Sequence, residues 1–216
     1  MKPDLVIFDC DGVLVDSEPI TNRLLAEDIS AHGLPISTEQ CIELFVGGTI
    51  KSVFEKANGL GAALPQDWVA GFYGRMIETL GAEVEAIPGI HGVLDRLDMA
   101  GILYCIGSNG PVRKMEVTLG RTGLWDRFVG RVFSAHDVGI AKPEPGLFLH
   151  AARSFGTSPG RCVVVEDSAS GVRAAQAAGM PCFGYAADTP AEKLTSHGAH
   201  AFDSMDKLPE LLGMDS

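Results

Sequence analysis

Two aspartates, Asp9 and Asp11, directly follow the apolar run 5–8 near the start of the chain. The run predicts a buried strand, and ligands bind at the carboxyl ends of the strands in open α/β sheets. Extended backbone points residues two apart to the same side, and Gly12 behind them permits a sharp turn. One carboxylate can then act as a nucleophile while the other transfers protons. Taken alone, the segment Asp9-Cys10-Asp11-Gly12 is equally compatible with a polar turn.

Two further segments offer groups that suit a phosphate. Ser108-Asn109-Gly110 follows the apolar run 102–107, where a hydroxyl, backbone N–H groups and a helix N-terminus can bind an anion. An ordinary helix cap is the alternative for this segment. Lys142 precedes Pro143, which favours extended backbone at the lysine. A loop lysine is most often simply solvated, so only the other segments support a functional role for Lys142.

A second acidic pair, Glu166 and Asp167, follows the apolar run 162–165. Capping of the next helix is one explanation for Asp167. If Glu166 and Asp167 meet Asp9 and Asp11 at one sheet edge, four carboxylates repel one another unless a divalent cation binds. Ligation by oxygen alone favours Mg²⁺.

The combined set predicts phosphoryl transfer through an aspartyl phosphate. In this hypothesis Asp9 attacks phosphorus, and Asp11 protonates the leaving group and later activates water. Lys142 and Ser108 hold the phosphoryl group, and Mg²⁺ bridges the site.

The remaining pattern describes the scaffold. Strands are predicted at 5–8, 102–107, 131–133, 162–165 and 181–185, and helices at 112–122, 146–155 and 171–178. This alternation predicts an α/β domain with a parallel sheet. Residues 17–86 instead show helical stretches at 22–31, 38–45, 50–57 and 67–80, although Gly71 and Gly74 weaken the last of them. We therefore predict a core domain of residues 1–16 and 87–216 and an inserted helical domain of residues 17–86.

Composition narrows the class of partner. The 216 residues are 46% hydrophobic, which allows a sizeable core, and the net charge of −11 argues against nucleic acid or an anionic membrane. Five scattered cysteines predict reduced thiols in a cytoplasmic protein, and no apolar run is long enough to span a bilayer. The acidic first twenty residues do not predict a secretory signal. The six histidines lack the spacing of a metal site.

Four segments resemble the motifs of the haloacid dehalogenase superfamily of phosphohydrolases: 9–17, 108–110, Lys142-Pro143, and Glu166-Asp167-Ser168 with Gly171. Their order and spacing cover nearly the whole chain. The resemblance implies a Rossmann-like α/β core with an α-helical cap inserted after the first motif. It also implies that Asp9 is the nucleophile and Asp11 the acid/base. The Mg²⁺ ligands it implies are Asp9, the Asp11 carbonyl and Asp167, with Glu166 nearby.

Within that superfamily the chain is most similar to the β-phosphoglucomutase-like group, which includes sugar-phosphate phosphatases and 6-phosphogluconate phosphatase. The mutases carry an arginine in the cap loop where this chain reads Gly47-Gly48-Thr49-Ile50-Lys51. Lys51 is therefore the predicted substitute cation for substrate binding, and Arg75 is a second cap cation to test.

The predicted protein is a Mg²⁺-dependent phosphatase of a small phosphorylated metabolite, such as a sugar phosphate or a sugar-acid phosphate. Two alternatives remain: a sugar phosphate isomerase like β-phosphoglucomutase, and a non-catalytic module that binds a phosphometabolite. The expected assembly is a monomer or a weak dimer.

Overall fold

The structure is a computed structural model that describes residues 2–45 and 49–214. The chain divides into two compact units, a helical one of Ser17–Val84 and an α/β one built from the chain on either side of it. The predicted boundary at residue 86 falls two residues late. The Asp16 N–H donates to the Glu85 carbonyl at 2.9 Å, and Val15 pairs with Ala86. Glu85 and Ala86 therefore belong to the α/β unit.

A six-stranded sheet, parallel throughout, forms the α/β unit, which confirms the predicted fold class. Leu5 lies opposite Leu103 on one side and Cys162 on the other. The carboxyl ends of neighbouring strands therefore meet at the same edge. In chain order the strands are β1 Leu5–Phe8, β2 Leu103–Ser108, β3 Val132–Ser134, β4 Cys162–Glu166, β5 Cys182–Tyr185 and β6 His200–Phe202, and their order across the sheet is β3-β2-β1-β4-β5-β6.

Helices connect these strands and cover the sheet. One side of the core joins Ile7 of β1 and Cys105 of β2 to Phe148 and Val172 on the covering helices. Excluding 3₁₀ turns, the helices of this unit are α5 Ile90–Ala100, α6 Val112–Arg121, α7 Trp125–Phe128, α8 Ala135–Val138, α9 Gly146–Ser154, α10 Ala169–Ala177, α11 Ala191–Thr195 and α12 Leu208–Leu211.

The helical unit contains α1 Glu18–Ala31, α2 Thr38–Phe45, α3 Ile50–Gly59 and α4 Trp68–Glu83. Trp68 and Phe72 are buried and stack with ring centroids 5.0 Å apart, as expected for the packed face of a helix. That packing explains why α4 runs through Gly71 and Gly74, since tertiary contacts outweigh the low helix propensity of glycine.

The sequence analysis missed α5, the edge strand β6 and the short helices α7, α8, α11 and α12. All five cysteines are free and buried thiols, as expected. Among the described residues, no helix combines the length and the hydropathy that a membrane crossing requires.

Candidate active site

The turn after β1 fixes both aspartates. The Asp9 N–H donates to the Val165 carbonyl of β4 at 2.9 Å, and the Gly12 N–H donates to the Val15 carbonyl at 2.9 Å. Gly12 has a φ of 73°, which favours glycine. A Cβ at Gly12 would also lie 2.1 Å from Oδ2 of Asp167. The glycine thus allows the turn and leaves space for the Asp167 carboxylate.

Lys142 joins two acidic groups that come from different strands. Its Nζ lies 2.7 Å from Oδ1 of Asp9 and 2.6 Å from Oε1 of Glu166. Glu166 is fully buried and Lys142 is only 7% exposed. Burial raises the pKa of Asp9 to about 7, because desolvation of the carboxylate outweighs the attraction of Lys142. Burial lowers the pKa of Lys142, but the two carboxylates outweigh it and hold that pKa above its ordinary value.

Glu166 is held on its other side by the start of α10. Its Oε2 accepts from the Asp167 N–H at 3.1 Å, the Ser168 N–H at 3.0 Å and the Ser168 hydroxyl at 2.8 Å. Gly171 packs against the same carboxylate, because a Cβ there would lie 1.8 Å from its Cδ. The carboxylate is therefore fixed in position, with Oε1 turned to Lys142.

Asp9, Glu166 and Asp167 form a group that suits a cation. Each offers a carboxylate oxygen within 4.8 Å of the other two, and this donor set favours a hard divalent ion. The sequence analysis placed the Asp11 side chain with them. In the structure that carboxylate pairs with Lys114 instead, so only the Asp11 main-chain carbonyl remains as a predicted ligand from this residue.

Lys114 is a site residue that the sequence analysis missed. It lies on α6, and its Nζ is 2.7 Å from Oδ1 of Asp11. Burial lowers the pKa of Lys114, but the Asp11 charge outweighs this effect and raises the pKa above its ordinary value. No spacing in the sequence links the two residues, since they are 103 positions apart.

The three residues of the second motif differ in what they contact. Oγ of Ser108 accepts from the Gly110 N–H at 3.0 Å, and Oγ of Ser134 donates to the Gly110 carbonyl at 2.7 Å. The Asn109 side chain binds the main chain of Lys142. Ser108 and Gly110 remain predicted phosphate contacts, whereas Asn109 connects two loops of the protein.

The predicted cap residues lie in the helical unit. Lys51 is exposed on α3, and Gly47 and Gly48 of the cap loop fall outside the described residues. Arg75 on α4 is paired with Asp28, with 2.7 Å between Nη2 and Oδ2. The structure leaves the substrate-binding role of Lys51 a prediction.

Comparison with known proteins decides the family. The sequence profile of the haloacid dehalogenase-like hydrolases matches residues 3–179. The chain belongs to this family. A 6-phosphogluconate phosphatase of Escherichia coli (strain K12) is 30% identical over 210 residues, which are 96% of this chain and 94% of that protein. A phosphoglycolate phosphatase of Xanthomonas campestris pv. campestris (strain 8004) is 31% identical over 180 residues, 83% of this chain and 81% of that one.

A solved structure extends this likeness over both units. A conserved haloacid dehalogenase-like protein of Agrobacterium tumefaciens is 36% identical, with a TM-score of 0.87 and 97% of each chain covered. As a member of this family of hydrolases, the chain is a phosphatase, a phosphoric monoester hydrolase that acts on small phosphorylated metabolites.

Proposed function

We propose that this phosphatase is Mg²⁺-dependent and hydrolyses a phosphorylated sugar or sugar acid through a phosphoenzyme formed on Asp9. The observation that carries this proposal is the position of Asp9. Its carboxylate is buried at the carboxyl end of β1, paired with Lys142, and grouped with Glu166 and Asp167.

The first step transfers the phosphoryl group to the protein. An oxygen of Asp9 attacks phosphorus, and the bond from phosphorus to the ester oxygen breaks. The reactive form of the protein carries a proton on Asp11, and Asp11 gives this proton to the departing alkoxide, which leaves as an alcohol. Lys142 and Ser108 bind oxygens of the transferred group, and Lys142 offsets their negative charge.

The second step releases phosphate. Asp11, now a carboxylate, accepts a proton from water while the water oxygen attacks phosphorus. The bond between phosphorus and Asp9 breaks, which regenerates the Asp9 carboxylate. Asp11 is protonated again, and the protein returns to its initial state.

The donor set of this site fits Mg²⁺. Asp9 and Asp167 provide carboxylate oxygens, the Asp11 carbonyl is a third predicted ligand, and Gly12 leaves the space that Asp167 fills. A bound Mg²⁺ supplies charge neutralisation for the carboxylates and for the phosphoryl oxygens. Glu166 has both oxygens engaged within the protein, so its proposed part is to hold Lys142 and the loop of Asp167.

The substrate class is supported by the relatives. The names of the two curated relatives both specify phosphorylated hydroxy acids, 6-phosphogluconate and phosphoglycolate. The longer of these substrates belongs to the relative that matches this chain over nearly its full length. This favours a phosphorylated sugar or sugar acid over a nucleotide or a phosphoprotein.

A substrate panel tests the proposal. The panel contains 6-phosphogluconate, phosphoglycolate, glucose 6-phosphate and a nucleoside monophosphate, each with Mg²⁺, and the readout is released phosphate. We expect the highest kcat/KM for a sugar or sugar-acid phosphate. A preference for the nucleotide would refute the substrate class.

A separate reaction distinguishes a hydrolase from an isomerase. With β-glucose 1-phosphate and a bisphosphate primer, we expect free phosphate or no reaction. Accumulation of glucose 6-phosphate faster than phosphate would make the protein a mutase.

A further inference from the structure

Each aspartate of the proposed catalytic pair has its own lysine. Asp9 contacts Lys142, which belongs to the third motif, and Asp11 contacts Lys114, which lies on α6 outside all four motifs. Both separations between Nζ and the carboxylate oxygen are 2.7 Å. The second pair therefore needs its own explanation.

The pair of Lys114 and Asp11 is largely shielded from water. The lysine side chain is 12% exposed and the aspartate side chain 24%. A buried lysine is unfavourable unless it is paired, and exposed ion pairs contribute little because water screens them. The low exposure and the short contact indicate a fixed interaction rather than a transient surface contact.

The geometry around Gly110 shows what this contact orients. A Cβ built at Gly110 would lie 3.4 Å from Oγ of Ser108 and 3.7 Å from Oδ2 of Asp11. The Ser108 hydroxyl and the Asp11 carboxylate thus face the same small space beside Gly110. Lys114 binds the other carboxylate oxygen, Oδ1, and so fixes which way Oδ2 points.

We infer that Lys114 is a positioning residue, which holds the Asp11 carboxylate beside the Ser108–Gly110 loop so that Asp11 reaches the leaving-group oxygen of the substrate. This inference rests on the proposed function, in which the loop binds the phosphoryl group and Asp11 protonates the leaving group. Small displacements of a group that transfers protons are costly, since about 1 Å of misplacement can slow a reaction about a hundredfold.

The inference predicts a dependence on the leaving group. An alkoxide leaves slowly without a proton, so hydrolysis of a sugar phosphate needs a well-placed Asp11. The p-nitrophenolate ion is a stable anion and leaves without one. Loss of Lys114 should therefore slow phosphoenzyme formation, which kcat/KM reports, unequally for the two substrates, whereas hydrolysis of the phosphoenzyme is common to both. A general loss of structure would slow both substrates alike.

The test compares kcat and KM for a sugar phosphate and for p-nitrophenyl phosphate. Lys114→Met removes the charge and keeps most of the length, and Lys114→Arg restores the charge. Arg113→Met removes the neighbouring exposed cation of α6 as a matched control. Asp11→Asn and the double variant complete a cycle that measures the coupling between the two residues.

We expect Lys114→Met to lower kcat/KM for the sugar phosphate by about tenfold to a hundredfold. The kcat/KM for p-nitrophenyl phosphate and the KM for the sugar phosphate should change by less than about threefold, a small effect beside the range for misplaced groups. Lys114→Arg should recover most of the loss, Arg113→Met should show none, and adding Lys114→Met to Asp11→Asn should have little further effect.

Three results would overturn the inference. They are equal losses of kcat/KM on both substrates, a rise in KM for the sugar phosphate at constant kcat, which would make Lys114 a substrate-binding cation, and full additivity with Asp11→Asn. The proposed function has its own criterion. If Asp11→Asn itself lacks the dependence on the leaving group, the acid role of Asp11 fails, and the inference about Lys114 fails with it.

Discussion

The Asn109 side chain holds the main chain of Lys142 on both sides of its α-carbon. Its Oδ1 accepts from the Lys142 N–H at 2.9 Å, and its Nδ2 donates to the Lys142 carbonyl at 3.3 Å. The loop that follows β2 thereby fixes the loop of Lys142, the lysine that contacts Asp9. An asparagine amide satisfies both groups at once because it offers a donor and an acceptor side by side.

Replacing Asn109 with Ala should therefore reduce activity through Lys142. We expect kcat/KM to fall by about tenfold to a hundredfold, because the lysine ammonium loses its fixed position. Stability should fall by about 1–3 kcal/mol, since two main-chain groups lose their partners. Steady-state kinetics and urea unfolding measure the two effects.

Asn58→Ala is the matched control for this variant. Asn58 also binds the main chain, accepting from the Leu64 N–H at 2.9 Å, but it lies in the helical unit. It should lose stability and keep kcat. If Asn109→Ala also kept kcat at full folding, the position of Lys142 would not depend on Asn109.

Gly171→Ala should disturb Glu166. The new Cβ would overlap the buried carboxylate, so the helix or Glu166 must shift, and such overpacking costs about 1–3 kcal/mol. Activity should fall as well, because Glu166 positions Lys142.

Gly92→Ala is the control for Gly171→Ala. Gly92 is likewise the third residue of its helix, and a Cβ there meets no atom within 4 Å. It should stabilise the protein by about 0.5–1 kcal/mol and leave activity unchanged. Thermal melts and kinetics of both variants check this, and unchanged stability in Gly171→Ala would contradict the tight packing at Glu166.

The strands and the first aspartate follow from local sequence because their causes are local. Residues 5–8 are all apolar and all fully buried, as expected for a central strand of a parallel sheet covered on both faces. The strand β6 escaped detection because its three residues, His200 to Phe202, include no β-branched residue and begin at an exposed histidine. The equally short edge strand β3 was predicted because Val132 and Phe133 are both residues that favour strands.

Two contacts of the site, Lys114 with Asp11 and Asn109 with Lys142, could not be predicted from the sequence for a different reason. A lysine on an amphipathic helix is normally solvated, and nothing near Lys114 marks it as a partner of Asp11. Local sequence predicts Asn109 to be a phosphate contact or a helix cap. Its actual partner, Lys142, lies 33 residues further along the chain. Both contacts depend on how loops of different strands meet, which local patterns do not encode.

Removal of divalent metal should abolish activity, and Mg²⁺ should restore it. Ca²⁺ should be a poor substitute, since its longer bonds and looser coordination misplace the nucleophile. Asp167→Asn should raise the Mg²⁺ concentration for half-maximal activity by at least about tenfold, which is the lower end for the loss of a supporting group. Titration of Mg²⁺ with kinetic readout measures it.

Asp203→Asn is the control for the metal prediction. Asp203 is exposed and paired with Lys207, with 2.7 Å between Nζ and Oδ1. The Mg²⁺ concentration for half-maximal activity of Asp203→Asn should match that of the unmodified protein. Full turnover in excess chelator would remove the metal from the mechanism.

Substitution of the two aspartates should separate their roles. Asp9→Asn should form no phosphoenzyme, because an amide is a very poor nucleophile. Asp11→Asn should still bind substrate but turn over about a hundredfold more slowly or worse, the range for a lost general acid/base. Rapid quench with labelled substrate distinguishes the two, and a phosphoenzyme in Asp9→Asn would identify another nucleophile.

Lys51 and Lys56 offer a matched pair on α3 for testing substrate selectivity. Lys56 is occupied within the helical unit, because its Nζ donates to the Leu44 carbonyl at 2.6 Å and lies 5.8 Å from the centre of the Phe45 ring. Lys51 is exposed and is the predicted substitute for the arginine that the mutases carry in the cap loop. Lys51→Ala should therefore reduce kcat/KM for a sugar-acid phosphate more than for p-nitrophenyl phosphate, which has no second anionic group.

Lys56→Ala should lower the melting temperature and leave the ratio of kcat/KM for the two substrates unchanged. Equal losses on both substrates in Lys51→Ala would place this lysine away from the leaving group.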